Sequence, residues 1–211
     1  MDRAITKTPK EIPARNGKPH WMPIRTEMTM AAKSKTENRE QQLRIIREPA
    51  NPQKWPPYSE VALRYGCPGN GGDASSEWES RCLARLHLPY PMLTAWIEPD
   101  PHTRVFGQRR VEYALVHREC IQSLGRILNA ILAHYGGDME RLSADGMDLF
   151  AGIYCYRPSR HHEALSLHAY GAAIDFGGDV MPPEIIAIFE DESWVWGGED
   201  NPMHFEATKG K

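Results

Sequence analysis

No stretch of the 211-residue sequence stays apolar for the ~18 residues that a membrane-spanning helix needs. The N-terminus also lacks the basic-then-apolar pattern of a secretory signal, so synthesis as a soluble cytoplasmic product is expected. The four cysteines, Cys67, Cys82, Cys120 and Cys155, form no CxxC pair, which argues against a structural zinc site. Cys67 and Cys82 flank a glycine-rich turn and are the first pair to test for a disulfide. That turn, Cys67-Pro68-Gly69-Asn70-Gly71-Gly72-Asp73, is too rich in breakers for a helix or strand. No GK[ST] follows it, which argues against a phosphate-binding loop. Lysine and arginine are modest in number and no base-reading motif occurs, so nucleic acid is not an expected partner.

What the sequence does contain is divided unevenly. Residues 1–50 carry eleven Lys/Arg against six Asp/Glu, a net of +5, and the whole chain is -3, so residues 51–211 carry -8. The basic part is also the polar and proline-rich part, with Pro9, Pro13, Pro19 and Pro23 and a charged run from Lys33 to Glu40. An extended arm over 1–50 is expected, either a solvated tail or a docking segment for an acidic partner, wall polymer or virion protein. The remainder, 51–211, is expected to form one domain, and an apolar fraction of 41% suffices for its core.

Within that domain the pattern predicts a mixture of elements. A short helix over Gln41–Glu48 precedes it, stopped by Pro49 and Pro52. Ser59 is placed to cap a helix running through Arg64 and ending at Gly66. Leu86 to Ile97 suits one or two short strands, and His102 to Val111 a turn. From Glu112, Leu115, Val116, Cys120, Ile121, Leu124, Ile127, Leu128, Ile131 and Leu132 recur at three- and four-residue steps, which predicts a long amphipathic helix ending at Gly136-Gly137. His117 and His134 would lie on it as surface or packing residues. Leu149–Tyr156 reads as a strand, Ala172–Phe176 as a short buried strand, and Pro183–Glu190 as a helix opened by proline. The expected class is α+β, with helices on one side of a small antiparallel sheet and a metal cleft at its open edge.

The chemistry is concentrated between Arg157 and Glu206. His168, Asp175 and His204 supply two imidazoles and one carboxylate, a donor set that holds zinc with a fourth position open. Seven extended residues would separate His168 from Asp175 by roughly 23 Å, so the chain must turn back between them, and Gly171 stands where that turn is needed. Asp175 lies in an apolar run without Lys or Arg, where an unpaired carboxylate would be costly. Spacing alone fits equally a His168 that caps a turn and an Asp175 that pairs in a salt bridge.

The whole pattern, Ser166-x-His168-x-x-Gly171-x-Ala173-x-Asp175 with Tyr156-Arg157-Pro158 upstream and Met203-His204-Phe205-Glu206 downstream, resembles the M15 family of zinc peptidases. That family includes D-Ala-D-Ala carboxypeptidases, dipeptidases and phage L-Ala-D-Glu endolysins. The likeness is strongest over 148–207 and is weaker, towards the phage-associated branch, from Tyr58. It implies a zinc-cleft fold of the hedgehog and DD-peptidase kind. It also implies His168, Asp175 and His204 as zinc ligands, Arg157 as the binder of a substrate carboxylate, and Ser166 as a cleft residue. A guanidinium fork suits the task given to Arg157. Trp196-Gly197-Gly198 matches the turn that delivers the last ligand, although Trp196 also reads as core. The implied activity is cleavage of a peptidoglycan stem peptide by a lysin or virion-associated hydrolase. Such a protein, lacking a signal, would reach the wall after lysis, through a holin-opened membrane or on a virus particle.

One position departs from the resemblance. The relatives carry an acidic general base three residues before the last His, and here that residue is Asn201. An amide accepts no proton at neutral pH. Asp200 is adjacent and Glu199 next, so Asp200 is the candidate substitute. The alternatives are a catalytically impaired structural or wall-binding component of a virus particle, or a sequence that carries an Asp-to-Asn change.

Overall fold

The computed structural model describes residues 55–69, 73–100, 102, 104, 106–159 and 164–209. The expected arm over 1–50 and the Gln41–Glu48 helix lie outside the described residues.

Periodicity of two and of 3.6 alternate along the chain, and the fold is α+β accordingly. A six-stranded sheet is ordered β4-β1-β5-β6-β8-β7, where β1 is Leu83–Thr94, β4 Arg110–His117, β5 Leu149–Gly152, β6 Ala173–Phe176, β7 Val195–Trp196 and β8 His204–Glu206. β2 (Glu98–Pro99) and β3 (Phe106–Gly107) form a separate two-stranded ribbon. The expectation of a purely antiparallel sheet is corrected. β1 and β5 run parallel: β4 pairs antiparallel to β1, and the Ile121–His134 helix then carries the chain from β4 back to the other side of β1.

That helix starts later than its apolar pattern suggests. Residues 110–117 alternate: Ala114 and Val116 are buried while Tyr113 and Leu115 are exposed, and the segment pairs with β1 from Leu83↔His117 to Leu93↔Arg110. Leu115 and Val116 fit a helical step by coincidence, and pairing with a twelve-residue neighbour overrides it. His117 consequently sits at a strand end, buried against the rings of Tyr65 and Trp78, and His134 in the exposed last turn of the helix. Within the helix Leu124, Ile127, Leu128 and Ile131 are fully buried at steps of three and four, facing β1 and the Pro183–Asp191 helix.

Other boundaries also moved. Ser59 caps nothing: a 3-10 turn over Tyr58–Glu60 leads straight into a Val61–Tyr65 helix, which stops at Gly66 as expected. Pro89 and Pro91 do not end β1, because they fall in the register shift between His87 and Met92, where ladder donors are not required. The strand from Leu149 stops at Gly152 rather than Tyr156. Helices at Ser76–Cys82, capped by Ser75, and Met139–Ala144, capped by Asp138, were not anticipated. All four cysteines are free thiols in the structure.

The C-terminal strands are held from behind. Arg126 makes a two-pronged ion pair to Glu192 at 2.6 and 2.8 Å, Ser123 donates to the same carboxylate, and Trp194 donates to Ser123. Phe205 stacks on Phe189 with ring centroids 3.7 Å apart. Tyr65 donates to the carbonyl of Ala207, fixing the chain where it leaves β8.

Candidate metal centre

Strand alternation decides which side chains meet. In β8, Phe205 is buried in the core, so its neighbours His204 and Glu206 point to the other face. β6 runs antiparallel beside it with Asp175 opposite His204, a cross-strand position that brings two side chains within contact distance. His168 arrives differently. Ser166 caps a 3-10 turn over Leu167–Tyr170 by accepting from the backbone N–H of His168. The chain then reverses at Gly171 in the left-handed region, φ 65 and ψ 28. A Cβ on Gly171 would lie 2.9 Å from Leu83 Cδ2 and 3.0 Å from the backbone nitrogen of His117, so this turn fits glycine alone. The reversal expected between His168 and Asp175 is therefore made by the residue expected to make it.

The three donors converge. His168 Nε2 lies 3.1 Å from Asp175 Oδ2 and 3.3 Å from His204 Nδ1, and His204 Nδ1 lies 2.5 Å from Asp175 Oδ1. A tetrahedral ion with bonds of about 2.0–2.1 Å spaces its donors about 3.3 Å apart, and two of the three separations match it. The third, between His204 Nδ1 and Asp175 Oδ1, is shorter than such an ion would impose. The outer nitrogens select the tautomers. His168 Nδ1 donates to the carbonyl of Ile153 at 2.8 Å, which turns the Nε2 lone pair inward. His204 Nε2 donates to Glu206 Oε1 at 2.8 Å, which leaves Nδ1 facing the centre. Each ligand imidazole is thus oriented by a second partner, as metal-binding histidines are. This buried group can hold a metal ion.

The electrostatics point the same way. Burial alone would raise the Asp175 carboxyl, but hydrogen bonds and charge from His168 and His204 outweigh it and hold the group well below the usual carboxylate range. Burial alone would lower His204, but Asp175 and Glu206 on either side push it up to about 9. The site is one that wants a cation between these groups. A proton on His204 Nδ1 supplies one charge, and a divalent ion at the same place would interact with all three donors.

A chamber of about 360 Å³ is lined by two members of the triad, Asp175 and His204. Arg157 and Ser166 line it, as do both residues in question for proton transfer, Asp200 and Asn201. Glu206 lines it too. Glu199 is not among the lining residues. Trp196 is no mere core residue: its indole donates to the carbonyl of Pro202 at 2.6 Å and ties the loop that ends in His204. Gly197 permits that loop to close, since a Cβ there would come within 2.5 Å of the Asn201 carbonyl oxygen. His117 and His134 are not part of this cluster.

Comparison with protein-family models, with curated proteins and with solved structures found no match.

Proposed function

We propose that the chain is a zinc-dependent peptidase of the M15 kind that cuts a peptide bond in bacterial peptidoglycan stems, as a phage or prophage lysin or a virion-associated hydrolase. The observation that carries this reading is the convergence of His168, Asp175 and His204, the last two lining a chamber that Arg157 also lines. A zinc ion held there would supply Lewis acidity, polarising a carbonyl and lowering the pKa of water beside it to about 7. Arg157 binds the substrate's carboxylate and so fixes which carbonyl meets the triad. Asp200 takes the proton from the attacking water and returns it to the departing amine. Ser166 keeps the His168 turn in place while lining the chamber. The fold proposed with this function is the hedgehog and DD-peptidase type.

A second reading, a non-catalytic wall-binding or structural component of a virus particle, is favoured by one observation: Asn201 lines the chamber where the resemblance expects a proton acceptor. Digestion of purified peptidoglycan by the zinc-loaded full chain separates the two. The peptidase reading expects measurable release of stem-peptide products, lowered about 10²-fold or more by Asp200→Ala. An inactive wild type together with an active Asn201→Asp would remove Asp200 from the mechanism. Inactivity of both, with zinc bound, would overturn the peptidase reading in favour of the second.

A further inference from the structure

A second chamber, of about 380 Å³, adjoins the first at Asp175 and Asn201. Ala151, Phe176, Gly177, Gly178, Asp179 and Met203 line it, and it shares Asp175 and Asn201 with the first chamber. One of the three candidate ligands, Asp175, therefore borders both depressions. We infer, on the peptidase reading above, that this second chamber takes the part of the substrate on the amino side of the scissile bond, and that it selects a neutral or cationic residue there over an anionic one.

The direction follows from charge. A peptide whose carbonyl meets the triad must leave it both ways, and Arg157 in the first chamber fixes the carboxylate-bearing part on that side. The amino part is left to the second chamber. Its charged lining, beyond the ligand Asp175, is Asp179, and no Lys or Arg lines it among the described residues. Phe176 and Met203 give it a buried apolar floor. A substrate carboxylate here would face Asp179 without a partner, whereas an ammonium would gain one. Asp179 is exposed, so the preference is a few-fold one.

The test measures binding, by calorimetry at low salt, of N-acetylated Lys-Ala-Ala and Glu-Ala-Ala to the zinc-loaded full chain, each made with L- and with D-alanine at the last position. The lysine peptide should bind roughly threefold tighter or more than the glutamate peptide, and Asp179→Asn should abolish the difference. Ala151→Phe, which fills the second chamber, should weaken both peptides about tenfold while zinc content stays unchanged. Equal binding of the two peptides by the wild type, a preference that survives Asp179→Asn, or undiminished binding by Ala151→Phe overturns the inference. Arg157→Ala should weaken every peptide alike. If no peptide binds, or if Arg157→Ala has no effect, the peptidase reading itself falls.

Discussion

Glu206 accepts a 2.8 Å hydrogen bond from Nε2 of His204, from a position two residues along the same strand and therefore on the same face. It holds the imidazole with Nδ1 towards Asp175 and His168. Glu206→Ala should weaken metal binding about 10- to 100-fold with the fold intact, and Glu206→Gln, which keeps an acceptor oxygen, should recover part of the loss. Competition against a chromogenic chelator measures this. Equal affinity of wild type and Glu206→Ala would show that the contact does not orient the ligand.

Gly136 and Gly171 both have positive φ, 61 and 65, yet only Gly171 is crowded. Gly136→Ala should cost about 1–2 kcal/mol, the strain of a left-handed residue with a side chain. Gly171→Ala should cost more than that, because its Cβ also meets Leu83 and the backbone of His117, and it should weaken metal binding by displacing His168. Urea unfolding of the two variants provides the comparison. Equal losses would mean that the Gly171 turn has room.

Burial lowers the pKa of His117 below its ordinary ~6.5; Arg118 and Arg64 act in the same direction and Glu119 against it. The unfolded chain therefore takes up this proton before the folded chain does. The stabilisation is complete above about pH 6.5 and is lost as pH falls below it towards the folded value. His117→Phe keeps a ring against Tyr65 and Trp78, and should flatten the fall in urea midpoint between about pH 7 and 5 relative to wild type. Parallel pH profiles for the two proteins would contradict this.

The site was more legible than the fold. His168, Gly171 and Asp175 declare themselves because a turn, a short apolar strand and a donor set coincide in one ten-residue stretch, where local geometry leaves few arrangements. Glu206 was visible in the sequence but not its role, since only the alternation of β8 around Phe205 puts it beside His204. The start of the long helix is hidden in the sequence because Leu115 and Val116 satisfy a helical step, while their pairing partners Arg85 and Ala84 in β1 lie too far back along the chain for a local pattern to record. The parallel β1–β5 contact is of the same kind: it depends on where the Ile121–His134 helix returns the chain, a property of packing and not of residue type.

His168, Asp175 and His204 are placed to hold one metal ion together. Elemental analysis of the full chain, purified after zinc-supplemented expression and gel filtration, tests it directly. About one zinc per chain is expected in the wild type, next to none in His168→Ala, Asp175→Ala and His204→Ala, and an unchanged content in His134→Ala. A wild type free of metal, or a His168→Ala variant that keeps it, would contradict the account.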